Sequence, residues 1–404
     1  MPLRDQVESV LRAWNRHELA RNAPAIIDYD CYPDVSSADR PPLDRLSVYR
    51  KLHELQRAGA QQGDSKLAER IGAHLFYLRA LMGERLAFDD YILGTQGCHA
   101  RGWPELYIQD VGKTAQLHLA AIGMHWGTDT RKELHNIEQT IDPADAPDAI
   151  RQATTDLEPA VRAAVNTSAP YNLAIETTSV NAYWAYWTDG VGHNVRLRLN
   201  LKEAKFTAVQ ARQFALHEVL GHGLQGASFS QHCAAEPVPW VRVLSVHAQQ
   251  QVLLEGLAQA LPLFVAPDDQ LLVTRVRLDH YTQLVRATLH LALNSGYSID
   301  ACAEYARTHV PYWTDEEISN LLADRGADPL LRSYLWSYPA GIDWFVNLAE
   351  AKAINTKSIL RAAYRDPLTP TDLPELWPGG PAIGGPGREV GFDQFTAYRA
   401  PRRC

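Results

Sequence analysis

Cysteine and methionine are scarce in this sequence, at five and three residues among 404. The cysteines (Cys31, Cys98, Cys233, Cys302 and Cys404) are odd in number, widely spaced and without a CxxC pair. That argues against a disulfide-stapled scaffold or a cysteine zinc ribbon and leaves reduced thiols in a cytoplasmic protein as the expectation. No stretch approaches the ~18 uncharged apolar residues of a membrane span. The opening MPLRDQVESVLRAWNRHELA is interrupted by charges every few residues, unlike a secretory leader. Positive charge is also in deficit: 39 Lys and Arg face 47 Asp and Glu, a formal charge of −8. The one dense basic cluster, Arg399, Arg402 and Arg403, is too short to hold a phosphate backbone. With no GxxxxGK[ST] loop either, nucleotide binding has no support. Neither a nucleic acid nor a membrane is therefore expected as a partner, while oligomeric state stays open.

An apolar share of 46% with 21% charged residues is ordinary for a globular protein with a large core. The length allows two or three domains at roughly 150 residues each. Apolar residues recur at three- and four-residue spacing over 43–59, 65–85 and 105–125, so the chain reads as helical up to about Val165. From Tyr171 to Leu201 it changes to β-branched and aromatic residues, with alternation in Val195 to Leu201 and a turn expected at Asp189-Gly190. Two or three strands with one wet face fit this stretch. Thr207 then reads as the N-cap of a helix carrying AVQARQFALHEVLGHGLQG. Helices are expected again over 241–263, 271–293, 298–308, 314–323 and 334–353. Near Pro378 the composition turns to PGGPAIGGPGREVG, which suits a surface tail, or alternatively a lid, better than regular structure.

The chemistry concentrates in His217-Glu218-Val219-Leu220-Gly221-His222. Two imidazoles and a carboxylate on one helix are what a zinc hydrolase needs: neutral nitrogen ligands and a general base for water. The familiar HExxH arrangement separates its histidines by four residues, about 40° in projection at 3.6 residues per turn. Here they are five apart, about 140° on a regular helix. A one-turn π-bulge at Gly221 would bring His222 back beside His217. Glu218 would then lie next to the metal without ligating it. The alternative, an amphipathic helix with incidental histidines, leaves a His and a Glu among Phe214, Leu216, Val219 and Leu220 without partners.

A third ligand must come from elsewhere. The expected 241–263 helix places His247, Gln251, Glu255 and Gln259 at four-residue steps on one face. Glu255, followed by Gly256, is the candidate, completing a His217, His222, Glu255 site for Zn²⁺ with a fourth position open to water. Gln251 or Gln259 would orient a ligand. His232 and Glu236, in a Pro-rich connection, are expected only to wall the cleft.

These residues resemble the gluzincin class of zinc metallopeptidases: an HE motif on a helix after an edge strand, then a ligating Glu on a helix some thirty residues later. The HExxGH variant is similar to that of dipeptidyl peptidase III. A longer resemblance is to the bacterial domain-of-unknown-function 885 group of zinc peptidases, carried by HEVLGHGLQ (217–225), EGLA (255–258), RATLHLALNSGYSIDACAEYA (286–306) and SYPAGI (337–342). It covers roughly residues 171 to 365. It departs from that pattern in lacking one residue between the histidines and in having Leu257 where the group has Trp. The resemblance implies a mainly α-helical α+β, zincin-like fold with a small sheet preceding the active-site helix. The organisation expected is an N-terminal helical subdomain (1–168) forming part of the cleft, a zincin-like catalytic domain (169–377) and a Gly/Pro-rich tail (378–404).

The function expected is zinc-dependent hydrolysis of a peptide or peptide-like amide, with Glu218 as general base. Tyr338, in the SYPAGI segment, is the first choice for stabilising the oxyanion, with Tyr334, Arg332 and His247 as alternatives. Tyr183, Trp184, Tyr186 and Trp187 either line a groove where a peptide adds as a strand or pack into the core. Two rival readings stand beside this one. LHEVLGHGLQG also resembles the HExxGHGLE motif of modulator-of-gyrase metallopeptidases, whose additional Cys ligand could here only be Cys404. The other rival is a non-catalytic scaffold with structural zinc.

Overall fold

A computed structural model describes residues 1–33, 41–180, 186–202, 206–352 and 354–387. It is mainly helical, with a small mixed sheet. Most expected helices are present within a few residues of their sequence limits, including Arg45–Gln61, Ser65–Leu81, Glu105–Ala121 and Gln270–Asn294. No helix among the described residues is long and apolar enough to cross a membrane.

Among the described residues there are seven short strands: β1 (Tyr29–Asp30), β2 (Thr140–Ile141), β3 (Asn172–Thr178), β4 (Tyr186–Val191), β5 (Asn194–Asn200), β6 (Phe206–Thr207) and β7 (Val243–Leu244). Five form one sheet in the order β3-β5-β4-β1-β7, and β2 pairs with β6. The alternation read in 195–201 is real: Val195, Leu197 and Leu199 are buried while Arg196 and Arg198 reach out to Asp189. The hairpin turn, however, is not at Asp189-Gly190. Those two residues belong to β4, and the chain reverses at Gly192-His193, where Gly192 has φ of +60° and Val191 pairs with Asn194. Gly190 is reserved for another purpose, since a Cβ there would fall 2.2 Å from the Tyr29 ring.

The sheet also does more than precede the motif helix. β1 comes from the first thirty residues and pairs with β4, and β7, from beyond the motif, pairs with β1, so both flanks of the chain join the sheet. This breaks the expected 241–263 helix. Its first residues alternate as VRVLSV and extend along β1, with Asp28 N–H donating to Leu244 O at 2.9 Å and Cys31 N–H to Arg242 O at 2.8 Å. Helix is kept over Gln251–Ala260 and begins again at Pro262–Val265. The 334–353 helix is likewise divided, into Pro329–Tyr334 and Ser337–Glu350. Pro339 has no N–H to give and is tolerated only in a first turn, so the helix restarts just before it.

Hydrophobic cores run across residue 168. Val7, Leu11 and Trp14 pack with Val241, Val243 and Val246, while Ile108 and Ala115 pack with Tyr281 and Leu284. The largest core joins Leu216, Leu220 and Leu224 to Leu253, Leu257, Ile342 and Phe345, directly beneath the motif. Part of the Gly/Pro-rich stretch is seated on the body: Gly102 N–H donates to Gly384 O, and Gly387 N–H to Gly102 O. Residues 388–404, with Arg399, Arg402, Arg403 and Cys404, lie outside the described residues.

Candidate active site

The motif segment begins where the sequence indicates. Thr207 caps Ala208–Phe214 in a capping box with Gln210. The helix then widens into a π-helical stretch, Ala215–Gly223, before resuming as Leu224–Ala235. The sixth residue of the motif is absorbed in that wider turn, and the His217 and His222 Nε2 atoms lie 3.2 Å apart. Gly221 permits this, because a Cβ there would meet Leu216 O at 2.8 Å and Ala258 Cβ at 2.9 Å.

Ala258 belongs to Gln251–Ala260, which therefore lies close against the π stretch and presents Glu255. Its carboxylate approaches His217 Nε2 at 3.3 Å and His222 Nε2 at 3.7 Å. His217, His222 and Glu255 are the one group of three or more His, Cys, Asp or Glu among the described residues that could hold a metal ion, with donor atoms all within 4.8 Å of one another. The same helix is pinned from behind: Gly256 and Gly341 meet backbone to backbone, a Cβ on Gly256 falling 2.3 Å from Gly341 C. This contact carries Ser337–Glu350 to the site. Tyr334 OH donates to Glu255 Oε1 at 2.6 Å and lies 2.7 Å from Tyr338 OH.

Electrostatics follow from burial and from these neighbours. Burial alone would raise the Glu255 pKa, yet His222 and His217 hold it well below the usual carboxylate range. Burial opposes protonation of His217, but Glu218 and Glu255 outweigh it and raise its pKa. Burial, reinforced by Glu255, pushes the Tyr334 and Tyr338 phenols well above their usual range, so both are neutral donors. Glu255 Oε2 is buried with no hydrogen-bond partner among the described residues, His217 Nε2 lying 3.3 Å away. An unmatched carboxylate oxygen beside two converging imidazole nitrogens is a donor set that suits Zn²⁺.

Glu218 stands apart from this triad. It is 5% exposed, with Oε1 3.7 Å from His217 Nε2 and Oε2 accepting the Thr188 hydroxyl at 2.7 Å. Thr188 was not singled out from the sequence; only its place on the strand preceding the motif, facing the helix, could have pointed to it. All these groups line a cavity of about 450 Å³ with Asp28, Tyr29, Tyr186, Trp187 and Asp324. Among the described residues its ionisable lining comprises two imidazoles, four carboxylates and four phenols, with no Lys or Arg. Asp28 is buried, and burial, opposed by the Val246 backbone N–H and reinforced by Asp189 and Glu255, pushes its pKa well up.

Several expected site residues lie elsewhere. His247 precedes the shortened helix and is stacked on Tyr77 at 4.1 Å, with Nε2 2.8 Å from His74 Nδ1. Arg332 is held by Asn294 Oδ1 and Leu86 O and does not line the cavity. Gln259 donates to the backbone O of Glu255, not to a ligand side chain, whereas Gln251 lines the cavity. His232 and Glu236 line a different cavity. Of the aromatic run, Tyr186 and Trp187 line the cavity, and 183–185 lie outside the described residues. No protein-family model matches the chain, and no curated protein matches it.

Proposed function

We propose that this protein is a zinc-dependent hydrolase of peptide or peptide-like amide bonds, with a zincin-like catalytic region of the gluzincin type. The observation that carries the reading is Glu218: a buried carboxylate outside the His217, His222, Glu255 triad, oriented by Thr188 toward the same cavity. A structural metal site has no use for such a group, which disfavours the scaffold reading. Zinc held by the three ligands would supply Lewis acidity, polarising the scissile carbonyl and lowering the pKa of water.

The chain's own residues supply the rest. Glu218 takes a proton from the attacking water at a carboxylate oxygen and returns it to the leaving nitrogen. Thr188 keeps that carboxylate from turning away. Tyr338, through a neutral phenol, donates to the oxygen that gains charge, while Tyr334 fixes Glu255 and bridges to Tyr338. The substrate lies along β4. β1 meets β4 only at Gly190 and Val191, so the backbone of Tyr186 to Asp189 has no strand beside it on that side among the described residues. An extended peptide can add there. The all-acidic ionisable lining, apart from its imidazoles and phenols, favours substrates with an ammonium or other cationic group. Four buried, unpaired cysteines fit the cytoplasmic location we assign.

The test is metal analysis of the purified protein followed by a peptide-library screen of wild type and Glu218→Gln. Stoichiometric zinc with hydrolysis confined to wild type is expected. A metal-free, or metal-loaded but inert, wild type would overturn the reading.

A further inference from the structure

We propose that a second cavity, of about 490 Å³, binds a small monocarboxylate with an apolar body, its carboxylate held by Arg70. This cavity lies between the start of Ser65–Leu81, the 236–241 connection and the 365–372 segment, and it shares no lining residue with the active-site cavity. Its volume is in the range of small-molecule sites.

Arg70 is 6% exposed. Its Nη2 is buried without a hydrogen-bond partner among the described residues. Burial draws the guanidinium pKa down to about 10, and Asp372 opposes this only from a distance. Of the carboxylates lining this cavity, Glu69 is exposed and the other four are already engaged. Asp372 receives Lys66 Nζ at 2.7 Å and the Thr369 N–H at 2.8 Å. Asp366 accepts Trp240 Nε1 at 2.9 Å, Glu236 is bonded to His232 at 2.6 Å, and Asp64 caps the helix at Leu67 N. The wall therefore leaves one deep charge unmatched, and it is positive.

A buried cation without a partner is costly to fold around, and a carboxylate matches the planar guanidinium fork with two parallel hydrogen bonds. Leu67, Val238, Pro239, Trp240 and Leu368 give the remaining lining an apolar face for the body of the ligand. The acidic residues at the same cavity, with Glu69 among them, repel a second negative charge. That restricts the ligand to a monoanion and disfavours polyphosphates.

Benzoate, benzamide and pyrophosphate separate these requirements in calorimetric titrations of the full chain. Benzoate should bind saturably, benzamide, with the same shape and no charge, at least tenfold more weakly, and pyrophosphate not at all. Arg70→Met should weaken benzoate at least tenfold. His217→Ala, which removes a proposed zinc ligand, should leave benzoate binding unchanged, so that a carboxylate bound at the active site is told apart from one bound here. The benzoate and benzamide comparison is made on wild type and depends on no variant folding. Absence of benzoate binding, equal affinity for the two, or loss of binding in His217→Ala with Arg70→Met unaffected would each overturn the proposal.

Discussion

Glu218 is buried beside the His217 imidazole, yet one of its carboxylate oxygens is committed to a strand hydroxyl instead. As the proposed base it predicts a specific separation of effects. Glu218→Gln should retain wild-type metal content and lower turnover by about 10²–10⁴, the usual worth of a positioned general base. Unchanged turnover would remove its assigned role. Thr188 touches no proposed ligand, so Thr188→Val should keep metal and KM while lowering kcat by about 10–100-fold, the range for groups that orient a functional side chain. A loss of metal instead would make Thr188 part of the binding site. Glu255→Ala should abolish stoichiometric zinc, whereas Cys404→Ala should not. The reverse result would favour the modulator-of-gyrase reading.

Among the elements, the π-helical stretch shows how much a six-residue motif specifies. Five-residue spacing of two histidines, with glycine before the second, already implied a local widening, because a regular helix would place them about 140° apart. The sequence could not show that the same glycine lets the Gln251–Ala260 helix reach the π turn and deliver Glu255. Gly256 and Gly341 extend that logic: their backbones touch, and Tyr334 and Tyr338 reach the site because of it. Gly256→Ala should therefore overpack the crossing, at a cost of about 1–3 kcal/mol, seen as a lower thermal midpoint with reduced metal affinity. A variant with both at wild-type values would show that the crossing has room. The long 241–263 helix was misread because VRVLSV satisfies helical and strand periodicity alike, and its pairing with β1, more than 200 residues upstream, settled the matter.

For the whole molecule, charge and buried histidines give solution behaviour that can be measured. His74 is buried against His247, and burial, with Arg70, draws its pKa from 6.5 to about 3; His247 is shifted in the same direction. Both remain neutral in the folded state while the unfolded chain takes up protons. Stability is therefore expected to fall as pH drops below about 6.5, by up to about 1.4 kcal/mol per pH unit for each imidazole. His74→Gln should flatten that slope in denaturation experiments run between pH 6.5 and 4, and an unchanged slope would mean that other groups dominate. At the cavity of the proposed active site, the carboxylates should attract cationic substrates. Raising ionic strength should raise KM for a cationic peptide and leave KM of a neutral analogue nearly constant.

The sequence by itself determined the local features: the capping box at Thr207, the strands at 171–201, the widened turn at Gly221, and His217, Glu218 and His222 as a cluster. Each depends on residues within one or two turns, where periodicity and backbone sterics act directly. Glu255 was legible by its polarity within an apolar run, by the glycine that follows it and by the EGLA resemblance. Thr188, Asp28, the relocation of His247 and the cavity at Arg70 were decided by tertiary structure. They depend on which strand edge, helix crossing or buried charge meets which, and such pairings are set by packing between segments far apart in the chain. The same holds for the first 168 residues. They supply β1 and two residues of the active-site cavity, Asp28 and Tyr29, because an extended segment near residue 30 completes a sheet whose other strands lie beyond residue 170.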